Sequence, residues 1–167
     1  AWWDADGDGP ASEWLIALDS GFAGRVRGDG PLCWDGTSWR ALGSERMSLV
    51  ANGAGPSLYA IGVRNGALSR WDESRGSWEP LVWVPREVAA MALLPDGDVV
   101  LGGSFADFSG HRGLFKWDAQ LQRIEGIGVV DGDVQSLLLA GDRLYASGTF
   151  TTIDGAVEHF RNGNEHD

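Results

Sequence analysis

The chain alternates between short apolar runs and polar, turn-forming stretches, and no stretch carries an apolar stripe of helical period between capping residues. Four apolar segments follow Gly- or Asp-rich turns: "WLIAL" (14–18), "LYAIG" (58–62), "VVLGG" (99–103) and "LYASG" (144–148). Their starts are spaced by 44, 41 and 45 residues. A second marker recurs beside them as "LCWDG", "LSRWD", "LFKWD" and "VEHFRN", with aromatic residues at 34, 71, 117 and 160. Two independent markers sharing a period of roughly 43 residues define an internal repeat.

Each copy divides into four short strands. In the third they are "EVAAMALL" (87–94), "DVVLGGSF" (98–105), "GLFKWD" (113–118) and "RIEGIG" (123–128). The turn "PDGD" (95–98) joins the first two, with Asp-Gly supplying positive φ. The best helical candidate, "REVAAMALL", recurs as "GDVQSLLLA" and "RMSLVA", always directly ahead of a turn and another strand, so it reads as an inner strand. Four strands every ~40 residues are the pattern of β-propeller blades. The predicted fold is an all-β propeller of four four-stranded blades, 1–43, 44–83, 84–127 and 128–167, forming a single domain or a fragment of one with its last blade incomplete.

The tryptophans fit this plan. In "WDGTSW" (34–39) a four-residue loop leaves Trp34 and Trp39 opposed on neighbouring antiparallel strands. "WDESRGSW" (71–78) repeats the arrangement with Trp71 and Trp78 around a six-residue loop, and "WDAQLQRI" (117–124) copies that spacing with Trp117 and Ile124. Opposed aromatic pairs stabilise a sheet by about 0.2–1 kcal/mol each. Asp directly after the Trp favours the turn, because its carboxylate accepts from nearby backbone N–H groups. Trp34, Trp39, Trp71, Trp78 and Trp117 are therefore expected to clamp the outer hairpins of the blades. Gly62, Gly102, Gly103 and Gly148 are expected to let neighbouring blades approach closely.

Composition narrows the function classes. The chain has 25 Gly and nine Trp in 167 residues, which suits short strands and frequent turns. Its 24 acidic against 13 basic side chains give a formal charge of -11, which disfavours nucleic acid and anionic membrane surfaces as partners. No apolar run approaches the ~18 residues of a membrane span. Cys33 is the only cysteine, which excludes an internal disulfide and suggests a small core residue. With no initiator Met before "AWWDADG", the chain reads as a processed or excised piece.

The repeats resemble the kelch-like repeats of bacterial and fungal surface β-propellers, among them fungal cell-polarity markers. "VVLGGSFADFSGHRGLFKWD", "LYASGTF" and above all "LCWDGTSWRALG" carry the resemblance. It covers essentially the whole chain, although the first copy lacks Gly-Gly and the last has Phe160-Arg161-Asn162-Gly163 in place of Trp-Asp-Gly. It implies an extracellular or cell-surface location and a scaffold that binds a protein or a glycan. Three assemblies compete: a compact four-bladed ring, part of a longer ring, and self-association of two chains into an eight-bladed ring.

One motif points to a cation. In "DADGDGPASE" (4–13), Asp4, Asp6 and Asp8 have the alternate-carboxylate spacing of calcium loops, with Gly9 permitting the sharp turn. The twelfth position, which calls for Glu, is Leu15, and Glu13 falls near the alternative ninth-position ligand, Ser12. A bound calcium ion and an acidic hairpin turn are the competing readings. His111, His159 and His166 lack zinc-ligand spacing, and Tyr59 and Tyr145 occupy equivalent strand positions that suggest packing. The arginines form no cluster along the chain, and no nucleophile elbow or phosphate loop is present. The expected function is a non-enzymatic protein-binding scaffold; a lectin-like module and a domain of a larger propeller enzyme are the alternatives.

Overall fold

The computed structural model describes residues 2–3, 13–16, 30–34, 37–52, 57–106, 112–154 and 160–162. Among them every regular element is a β-strand. The first sheet orders β1 (Trp2–Trp3), β2 (Glu13–Ile16), β3 (Leu32–Trp34) and β4 (Trp39–Ala41), each antiparallel to the next. The second repeats that order with β5 (Met47–Asn52), β6 (Leu58–Gly62), β7 (Ala67–Asp72) and β8 (Ser77–Trp83). The third contains β9 (Val88–Leu93), β10 (Val99–Ala106), β11 (Arg112–Asp118) and β12 (Arg123–Val130). The remaining strands are β13 (Val134–Ala140), β14 (Arg143–Gly148), β15 (Ile153–Asp154) and β16 (Phe160–Asn162).

The segments with the strongest local claim to helix, at 87–94 and 132–140, form the strands β9 and β13. The reason is the turn that follows each. At 95–98 the Leu94 N–H donates to the Asp98 carbonyl at 2.8 Å, and Gly97 takes φ of 93°. This reverses the chain immediately and pairs Leu93 with Val99. Apolar residues on both faces complete the preference. β6 is buried along its whole length, as a strand covered on each side must be.

The chain divides into two compact units, Ala1–Val84 and Pro85–Asp167, each containing two sheets. In the first unit, Cys33 and Leu42 share a core with Met47, Leu58, Ala60, Trp71 and Trp78. Alternation along the strands makes this the Cys33 face of the first sheet against the Leu58–Ala60 face of the second. The second unit repeats the scheme. Val100 and Leu114 of the third sheet pack with Leu144, Ala146, Val134 and Phe150. Gly102 allows that approach, since a Cβ there would stand 2.5 Å from Val134 Cγ1. Gly62 and Gly148 act differently from the close approach between sheets expected of them. An added Cβ would meet the Asn65 side chain at Gly62 and the Asp133 carbonyl at Gly148, so both serve turns of their own sheet.

The fourth sheet departs from the pattern. After β14 the chain crosses to the third sheet, where β15 pairs antiparallel with β12, aligning Val130 with Ile153. It then returns as β16, which lies parallel to β14 with Leu144 aligned to Phe160. The crossover explains the parallel direction: the expected hairpin from β14 to an antiparallel third strand is replaced by a longer excursion. The fourth sheet thus has three strands and the third has five.

Candidate functional site

The hairpin tryptophans set the rigid frame. Trp34 aligns with Trp39, Trp71 with Trp78, and Trp117 with Ile124. The ring centroids lie 5.3 Å apart in the first pair and 5.2 Å in the second, both tilted, within the preferred range for aromatic contact. Trp71, Trp78 and Trp117 are buried. The Trp78 indole N–H donates to the Leu42 carbonyl at 2.8 Å, which ties the outer strand of the second sheet to the chain entering it. Trp71 donates to Glu73 at 2.5 Å. Trp34 and Trp39 are half-buried.

The Asp after each Trp does the turn chemistry. Asp72 accepts from the Ser74 hydroxyl at 2.6 Å and the Arg75 N–H at 3.2 Å. Asp118 accepts from the Leu121 and Gln120 N–H groups at 2.8 and 2.9 Å. Both carboxyl groups are held below their ordinary value. The Ser74 hydroxyl is the main cause for Asp72 and the Leu121 amide for Asp118. Beside the second of these turns, Lys116 bridges the buried Asp98 at 3.0 Å and Glu125 at 3.2 Å. Those two acceptors, Asp98 first, raise the lysine above its ordinary value. Asp98 also accepts the Ala119 N–H at 2.9 Å, so one carboxylate joins the β9–β10 turn to the β11–β12 turn.

Among the described residues, each unit has a cleft. In the first unit a cleft of about 320 Å³ is lined by Ser44, Glu45, Arg46, Gly62, Arg64 and Asn65. The β4–β5 connection supplies the first three, and the β6–β7 turn the others. The Val63 N–H donates to the Arg46 carbonyl at 2.8 Å, and Asn65 Oδ1 accepts the Ala67 N–H at 3.1 Å, so backbone bonds fix both walls. Arg46 and Arg64, scattered along the sequence, both line this cleft. Their common signal is position: each lies next to a strand end on the same edge of the repeat.

In the second unit a smaller cleft of about 130 Å³ is lined by Ser104, Phe105, Asp131, Gly132 and Asp133. Asp131 is committed to the fold. It accepts from the Thr151 hydroxyl at 2.5 Å, the Thr151 N–H at 2.7 Å and the Thr152 N–H at 2.9 Å. The hydroxyl leads in holding this carboxyl far below the usual carboxylate range. Asp133 faces the same cleft. Its backbone N–H donates to Thr149 Oγ1 at 3.0 Å.

Of the calcium motif, Asp4, Asp6 and Asp8 lie outside the described residues, and Glu13 is placed only by its backbone, opposite Trp3 at the start of β2. Among the described residues no group of three His, Cys, Asp or Glu side chains could hold a metal. His111, His159 and His166 also lie outside the described residues. Cys33 is fully buried in the first unit's core. Tyr59 is buried, whereas Tyr145, expected to pack in the same way, is 39% exposed. No family model matches the chain, and no curated protein matches it either.

Proposed function

We propose that the chain is a β-propeller-type binding module whose sheets act as rigid blades and whose loop ends hold a protein partner, outside the cell or at its surface. The observation that carries this reading is the cleft formed by the β4–β5 connection and the β6–β7 turn. Arg46 and Arg64 are among the residues that line it, beside Glu45. Loops mounted on a rigid scaffold are the usual seat of recognition. A guanidinium group such as that of Arg64 suits a carboxylate side chain of a partner, because it offers a planar fork of donors. The kelch-like repeat pattern supports both the propeller architecture and the cell-surface setting. A lectin-like role, in which half-exposed Trp34 and Trp39 stack on sugar rings, is the second reading.

A peptide library displayed on phage and panned against the chain, run beside a glycan array, tests the choice. Enriched acidic peptides whose affinity falls about tenfold or more with Arg64→Glu support the protein-binding reading. Glycan retention with quenched tryptophan fluorescence and no enriched peptide would replace it with the lectin reading.

A further inference from the structure

The cleft of the first unit carries both signs of charge, and every residue lining it belongs to that unit. Glu45 and Arg64 are exposed, whereas Arg46 is half-buried and already engaged within the chain. Among the described residues, neither the Glu45 carboxylate nor the Arg64 guanidinium takes an ion-pair or hydrogen-bond partner. An unpaired acid and an unpaired base therefore line one cleft of about 320 Å³ without meeting each other. That volume is at the small end for a ligand site, so the cleft suits the ends of side chains and not a folded element.

The backbone fixes both walls. Gly30 is buried, and a Cβ there would stand 2.9 Å from the Glu45 carbonyl oxygen and 3.0 Å from that of Gly43, so a side chain at 30 would push the β4–β5 connection away. On the other wall, Asn65 accepts the Ala67 N–H and the Gly66 N–H donates to the Gly62 carbonyl at 2.9 Å, which holds the turn bearing Arg64. The Val63–Arg46 bond joins the two walls. Loops held in this way lose little freedom on binding, which leaves charge to decide among ligands.

We propose that Glu45 and Arg64 together select a partner segment of mixed charge, with a carboxylate side chain against Arg64 and a lysine or arginine against Glu45. The inference rests on the protein-binding reading and narrows it, because it gives the segment a charge pattern and makes Glu45 a specificity-determining residue. The carboxylate on Arg64 forms a charge-assisted pair, and the cation on Glu45 forms a second. A segment with acidic side chains alone satisfies Arg64 but brings a like charge towards Glu45, which weakens its binding. A wholly basic segment fails at Arg64 for the same reason. The formal charge of -11 works in the same direction, since the chain as a whole repels an acid-only partner.

Binding of the 167-residue chain to an array of Gly/Ser peptides tests it. Each peptide carries one Glu and one Lys, two Glu, or two Lys, at a range of spacings, and Kd is measured for the best of each kind. The expected result is that mixed-charge peptides bind about fivefold more tightly than acid-only ones, the scale of a single exposed charge contact. Glu45→Lys is expected to reverse the preference by a similar factor, and Glu45→Gln, of the same shape without the charge, to abolish it. Far-ultraviolet circular dichroism checks that each variant keeps its β-sheet; if Glu45→Lys does not, Glu45→Gln decides the question. Acid-only peptides that bind the unaltered chain as tightly as mixed ones overturn the inference and leave the protein-binding reading standing. A preference for mixed charge that Glu45→Gln leaves intact also overturns it, because the selection would then lie at other residues. Retention of no peptide of any kind overturns the inference and the reading together.

Discussion

Gln122 shows how closely the outer hairpins copy one another. It occupies the place of Gly76, five residues after the hairpin Trp, and both take a left-handed backbone, with φ of 51° and 60°. Gly tolerates that region freely, whereas a side chain in it costs roughly 1–2 kcal/mol. Gln122→Gly is therefore expected to raise stability by about 1 kcal/mol, read as a higher urea midpoint with an unchanged slope. A lower midpoint would mean that the glutamine side chain contributes more than its backbone loses. This feature was half legible. The equal spacing of "WDESRGSW" and "WDAQLQRI" announces the same loop, but nothing in a Gln codon position signals a left-handed φ, because the turn imposes it from outside the residue.

At the scale of elements, the strands followed directly from repeated apolar runs punctuated by Asp-Gly turns, and so did the opposed tryptophans. Two things were not legible. The swap of β15 onto β12 and the parallel return of β16 depend on competition between two sheet edges, which no local pattern records. That Arg46 and Arg64 line one cleft depends on which loops share an edge. The Asp98–Lys116–Glu125 link is likewise a property of three elements together. Lys116→Met removes the cation and leaves the buried Asp98 carboxylate with the Ala119 amide. The lysine side chain is 25% exposed, so the expected loss is the moderate one of about 1–3 kcal/mol. Adding Asp98→Asn to that variant should recover part of the loss in the same denaturation assay, since the uncompensated charge is then gone. A double variant no better than Lys116→Met would assign the loss to packing of the lysine stem.

For the whole molecule, acid stability is the natural readout, because three turn carboxylates, Asp72, Asp118 and Asp131, are all held below the ordinary value of 3.8. A depressed carboxyl in the folded state contributes stability that is fully present above the unfolded value. That contribution is lost as pH falls below about 4 towards the folded values. Thermal midpoints should accordingly be flat from neutrality to about pH 5 and then fall with acidification. Replacing all three with Asn should flatten the acid limb, and an unchanged limb would move its origin to other carboxylates. A different consequence follows from β15. During synthesis the third sheet's outer strand emerges long before residues 153–154, so its edge waits unpaired while the fourth sheet's first hairpin is being made. An exposed edge of that kind is where nascent chains stick to each other. The ribosome must therefore deliver the end of one repeat before the previous one is sealed, which makes the order of assembly run backwards across that seam.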